Sequence, residues 1–139
     1  METKIGTPKR LILCDTGIFF DLFHQDPNVC RELDHLGFSR LLISSVSVAE
    51  TYYGMKKRET RETRELVKRF SIYHTDKEVS RKFLQLMLAY PDHRMAIPDA
   101  FIAATALVAN VELFTLNRKD FDYVEGLKLY NPKFVKAEA

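Results

Sequence analysis

Leu11-Ile12-Leu13-Cys14 is apolar at four successive positions, and this run constrains the fold more than any other feature of the chain. A strand with one face in water alternates apolar and polar side chains, whereas an apolar run without alternation is covered on both faces. Burial on both faces is the mark of a parallel sheet, because its crossover connections lay helices over it. Further strand-like runs occur at Leu41 to Val46, Ser71 to His74, Glu112 to Leu116 and Leu127 to Tyr130. Helical patterns separate them. Ile18-Phe19-Phe20 with Leu22-Phe23 has helical spacing, Asn28 to Leu36 stops at Gly37, and Ser47 opens a helix toward Lys57. Asp76 to Tyr90 places Val79, Phe83, Leu86, Met87 and Tyr90 on one face. Pro98 suits the first turn of an apolar helix running from Asp99 to Ala109. Strands alternating with helices predict an α/β fold with a mainly parallel sheet.

Composition narrows the class. With 139 residues, 46% hydrophobic and 29% charged, the chain has one domain's worth of sequence and can bury a core. No apolar stretch approaches the roughly 20 residues of a membrane-spanning helix. The polar start METKIGTPKR lacks the apolar segment of a secretory signal. Cys14 and Cys30 are too few for a disulfide framework or a cysteine zinc site, and Cys14 reads as a buried thiol, so a reducing cytoplasm is expected. A net charge of +2 excludes a protein that coats nucleic acid by bulk charge. The tail from Asn131 onward reads as loosely held.

In open α/β sheets, ligands bind beyond the carboxyl ends of the strands. The residues there are unusually acidic. Asp15 follows the first strand, Glu50 lies in the helix after the second, Asp99 follows Pro98, and Asn117 and Asp120 follow Leu116. Each acid has a structural role open to it. Asp15 can cap a helix, Ser47-Val48-Ala49-Glu50 has the form of a capping box, Asp99 suits a helix N-terminus, and Asp120 suits a turn. Together they repel one another unless a cation joins them. Mg²⁺ fits that need, because it takes oxygen ligands from one or two carboxylates and keeps positions for water and phosphate. His24, His35, His74 and His93 show no ligand spacing, and no phosphate-binding glycine motif is present.

These residues resemble the motifs of PIN-domain nucleases. Leu13-Cys14-Asp15-Thr16-Gly17 resembles the first motif, and Val48-Ala49-Glu50 with Gly54 the second. Asp99-Ala100-Phe101-Ile102-Ala103-Ala104-Thr105-Ala106 resembles the third, and Phe114-Thr115-Leu116-Asn117-Arg118-Lys119-Asp120-Phe121 the fourth. The order is the family's, from about Leu11 to Tyr130 within a single domain spanning 1–139, and the short form is similar to VapC toxins of type II toxin–antitoxin systems. The resemblance implies a three-layer sandwich around a five-stranded, mainly parallel sheet. It implies an endoribonuclease dependent on Mg²⁺ or Mn²⁺, a cognate antitoxin protein that blocks the site, and a homodimer. It makes Asp15, Glu50, Asp99 and Asp120 the catalytic, metal-binding quartet, with Asp15 and Asp99 as direct ligands. Asn117 or Asp122 can share or take the place of Asp120. Thr16, Thr115 and Asn117 become supporting groups that orient carboxylates or water.

Seven basic residues, Lys56, Lys57, Arg58, Arg61, Arg64, Lys68 and Arg69, share the middle of the chain with Glu59, Glu62 and Glu65. They suit an RNA or antitoxin contact, or a solvated helix laced with Arg61–Glu65 and Glu65–Arg69 pairs. Phe19, Phe20, Phe23, Tyr52 and Tyr53 cluster near the first two motifs, where core packing is the simpler role and a partner groove the other. Three rival functions share these features: a housekeeping RNA-processing nuclease, a non-catalytic binding module, and a receiver-like or phosphatase-like protein. For the last, Gly17 stands where a phosphatase needs a second Asp, and only Asp76 follows the third strand.

Overall fold

The computed structural model describes residues 10–134, so the N-terminal segment before Arg10 and the last five residues lie outside the described part. Four parallel strands form the central sheet: β1 (Ile12–Cys14), β2 (Leu41–Ser44), β3 (Ser71–Tyr73) and β4 (Glu112–Phe114), in the spatial order β3-β2-β1-β4. Six helices connect and cover them: α1 (Thr16–Phe23), α2 (Pro27–Leu36), α3 (Ser45–Gly54), α4 (Thr60–Val67), α5 (Lys77–Ala89) and α6 (Ile97–Ala109).

The unbroken apolar character of β1 has the expected cause. Ile12 and Cys14 face one layer with Leu41, Ile43 and Phe114, packed against Ile18, Phe19, Val29 and Leu33 of α1 and α2. Leu13 faces the other layer with Leu42 and Leu113, packed against Leu86 of α5 and Ile102 and Ala103 of α6. Successive strand residues thus enter two separate cores, and the domain is a three-layer sandwich. Cys14 is fully enclosed, and burial pushes its thiol well above the usual range, which makes it inert.

The sheet has four strands rather than five. The segment Leu127 to Tyr130 contributes a single parallel bridge, Leu113 to Leu129, beside β4. Lys128 O accepts from Leu113 N–H and Tyr130 N–H donates to Leu113 O, at 2.9 and 2.8 Å. Pairing stops there, and Tyr130 O accepts from the Arg118 guanidinium at 3.1 Å. The tail is held beyond this point. Buried Glu32 of α2 accepts from the Tyr130 hydroxyl and from Lys133 N–H at 3.1 Å, and Phe134 packs on the α1–α2 core. The expected loose tail is therefore anchored through Phe134.

Tyr130→Phe removes one of the donors that satisfy the buried Glu32 carboxylate. A loss of about 1–2 kcal/mol is expected, read as a lower urea midpoint with an unchanged m-value.

Candidate active site

The strand order places β2 on one side of β1 and β4 on the other, so a crevice opens at the carboxyl end of β1 where the connections diverge. Asp15 stands there. Its backbone N–H is bonded to Phe114 O of β4 at 2.9 Å, which extends the pairing by one residue. As the N-cap of α1 it accepts from Thr16 N–H through Oδ1 at 2.8 Å. Its Oδ2 accepts from Thr115 Oγ1 at 2.7 Å, and Thr115 in turn accepts from Asn117 N–H at 3.0 Å. The buried carboxylate is thus held from both sides of the crevice. Asn117 supports it through its backbone rather than through its side chain.

Glu50 arrives by a different route from the expected capping box. Backbone extended at Ser44 makes that residue the N-cap of α3, accepting from Ser47 N–H at 3.0 Å. The helix therefore starts earlier, Ser47 lies buried in its first turn, and Glu50 is a turn too far along to reach the cap. Glu50 Oε1 instead accepts from Thr16 Oγ1 at 2.8 Å. Thr16 has one hydroxyl proton and a carboxylate only accepts, so the proton goes to Glu50 and the 2.7 Å contact with Ser47 Oγ is one in which Thr16 accepts. Ser44 Oγ donates to Ser47 Oγ at 3.2 Å, which completes a buried hydroxyl chain ending on Glu50. Ser44 and Ser47 were not among the expected site residues; the signal for them was the Ser44-Ser45-Val46-Ser47 cluster directly after β2.

Asp99 lies in the first turn of α6, which begins at Ile97 with Pro98 in that turn. Half-buried, it has its carboxyl pushed up to about 6, first by burial and then by the charges of Asp15, Asp120 and Glu50. Asp15 is raised too, chiefly by burial, with Thr115 and Thr16 opposing and Glu50 and Asp120 adding to the rise. The expected four carboxylates thus share one field. Asp120, at the end of a 3-10 turn (Arg118–Asp120), acts on Asp15, Asp99 and Tyr123, whereas Asp122 acts on Tyr123 but is not among the groups that raise Asp15 or Asp99. Of the two candidates for the fourth acid, Asp120 is the one whose charge reaches Asp15 and Asp99.

Among the described residues, no group of three or more His, Cys, Asp or Glu side chains forms a ready-made cage for an ion. Mg²⁺ does not require one, since one or two carboxylates suffice when water and phosphate fill the other positions. An all-oxygen donor set whose members raise one another's proton affinity fits a hard divalent cation.

The remaining candidates separate clearly. Asp76 caps α5 by accepting from Val79 N–H at 2.9 Å, which gives it a structural role. Phe19 is buried core, and with Phe20, Phe23, Met55 and Lys56 it lines a cavity of about 190 Å³. Tyr53 is 94% exposed. In the basic segment, Glu65 bonds Lys68 at 3.3 Å and Arg69 lies 3.8 Å over the Phe38 ring, in place of the expected pairing with Arg61 and Arg69.

A family model described as PIN domain matches residues 12–127. The chain belongs to the PIN-domain family. Within it, the chain is 29% identical over 136 residues to a protein named Ribonuclease VapC1 from Methanocaldococcus jannaschii, covering 94% of this chain and 95% of that one. A toxin–antitoxin complex from Klebsiella pneumoniae contains a chain of 29% identity and TM-score 0.71, covering 84% of this chain and 94% of that one. DNA-bound VapBC from Salmonella typhimurium matches at TM-score 0.78 over 88% of this chain and 98% of its own; at 19% identity this is a likeness of fold.

The raised Asp99 carboxyl sets a pH dependence. The folded state holds its proton more tightly than the unfolded chain does, so stability falls as pH rises from about 4 to about 6. In chelator, Asp99→Asn is expected to melt higher than the parent PIN domain at pH 7.5 and to lose that advantage at pH 4. Equal melting temperatures at pH 7.5 contradict this assignment.

Proposed function

We propose that this PIN domain is an endoribonuclease of the VapC kind, dependent on Mg²⁺ or Mn²⁺, acting in the cytoplasm as the toxin of a toxin–antitoxin pair. The observation that carries the reading is the convergence of Asp15, Glu50, Asp99 and Asp120 at the crevice beyond β1, in a family whose relatives include a named ribonuclease. Repulsion there is tolerated because it is relieved when a divalent cation binds.

Asp15 and Asp99 hold the ion, with Glu50 and Asp120 completing the anionic wall. A bound divalent cation supplies Lewis-acid stabilisation of the phosphodiester and of the departing oxygen. The chain's own residues do the positioning. Thr115 and the Thr16 N–H fix both oxygens of Asp15, each of which keeps a lone pair for the site. Thr16, backed by Ser47 and Ser44, fixes one oxygen of Glu50 and leaves the other to accept from an attacking water. Pre-set carboxylates save reorganisation during in-line attack on RNA. No helix among the described residues is long and apolar enough to cross a membrane. A cognate antitoxin blocks the site, and the toxin works as a homodimer; solved structures similar to this chain include toxin–antitoxin complexes.

Purified protein is expected to cleave total cellular RNA with Mg²⁺ or Mn²⁺ and to stop in chelator. Asp15→Asn and Asp99→Asn each lower the rate by about a hundredfold or more, the scale of losing several kcal/mol of charge stabilisation. Cleavage that persists in chelator or in Asp15→Asn overturns the reading.

A further inference from the structure

Two of the four acids are reached by loops that meet in an aromatic cluster. The turn Pro91–His93 leads into α6 and Asp99, while Tyr123 follows Asp120 by three residues. The His93 imidazole stacks face to face on the Tyr123 ring, with centroids 3.8 Å apart and planes 10° from parallel. Tyr90 meets both edge-on, at 6.1 Å from His93 and 5.1 Å from Tyr123. Its hydroxyl accepts from Glu125 N–H at 2.8 Å, which ties the two loops together. Arg94, in left-handed backbone at φ 51°, turns the chain immediately after His93.

Core packing accounts for Tyr90 and Tyr123, which lie against the cluster around Ile102 and Phe121, but not for His93. Tyr90 and Tyr123 are half-buried, but His93, at the outer end of the stack, is exposed. Tyr123 covers one face of the imidazole and Tyr90 approaches edge-on, while His93 as a whole is exposed. The same two loops carry exposed Arg94 and Lys119 together with the acids Asp92, Asp120, Asp122 and Glu125. An exposed aromatic stack adjoining a phosphodiester-cutting site has the chemistry that holds an unpaired nucleobase.

We propose that the His93–Tyr123 stack is a base-binding subsite, on which one unpaired base of a single-stranded RNA lies so that the adjoining phosphate reaches the acidic crevice. The subsite rests on the nuclease reading above, because the acids identify the phosphate it serves. Stacking on a π face tolerates any base, so the subsite selects unpaired RNA over duplex rather than a particular sequence.

The test is binding of a short single-stranded RNA carrying 2-aminopurine, followed by fluorescence quenching in chelator, where no cleavage occurs. The wild-type protein quenches the probe, His93→Ala binds about five- to a hundredfold more weakly, the range for losing one stacked base, and His93→Phe restores affinity. With metal present, His93→Ala raises KM by more than it lowers kcat. Wild-type affinity in His93→Ala, or an absence of RNA binding by the wild-type chain, overturns the subsite. Cleavage lost in Asp99→Asn while His93→Ala binds normally would discard the subsite and keep the nuclease. Quenching that depends on His93, in a protein that cuts no RNA, would keep the subsite and discard the nuclease.

Discussion

A carboxylate buried at the end of a doubly covered strand must find donors, and Asp15 finds them on two elements at once. Thr16 N–H comes from the start of α1, and Thr115 comes from the end of β4, across the crevice. The hydrogen bond to Thr115 joins residues 100 apart in sequence and exists only if β4 pairs with β1 in the observed register. Assembly of the sheet and assembly of the site are therefore one event. The same holds for Glu50, whose partner Thr16 lies on a different helix and is itself backed by the serines that start α3.

Much of this was legible in the sequence because it follows from burial. Leu11 to Cys14 has no polar position, so it had to lie between two layers, and the acids after the strands had to fall on one edge. Other features depend on competition between partners. Ser47 and Glu50 have capping-box spacing, but Ser44 caps first, and only the tertiary contact with Thr16 explains where Glu50 goes. The expected fifth strand is reduced to a single bridge, and beside it Arg118 bonds the Tyr130 carbonyl, a pairing 12 residues apart that no periodicity announces. No periodicity in the sequence links His93 to Tyr123, and their stacking depends on how two distant loops meet.

The site's electrostatics are costly in isolation. Burial and like charge both raise Asp99, and the neighbours that raise it also raise Asp15. Carboxylates raised together by burial and by one another are concentrated at functional sites. The hydrogen bonds that oppose the rise at Asp15 come from groups that fix its direction, so the arrangement gains geometry where it loses stability.

The most direct test of the central claim is Mn²⁺ titration of the purified protein, with the free ion followed by electron paramagnetic resonance. Wild-type protein is predicted to remove the free Mn²⁺ signal saturably, and the Asp15→Asn, Asp99→Asn double variant to leave it in solution. A wild-type chain that takes up no Mn²⁺, or a double variant that takes up as much as the wild type, would show that the four carboxylates do not form a cation site.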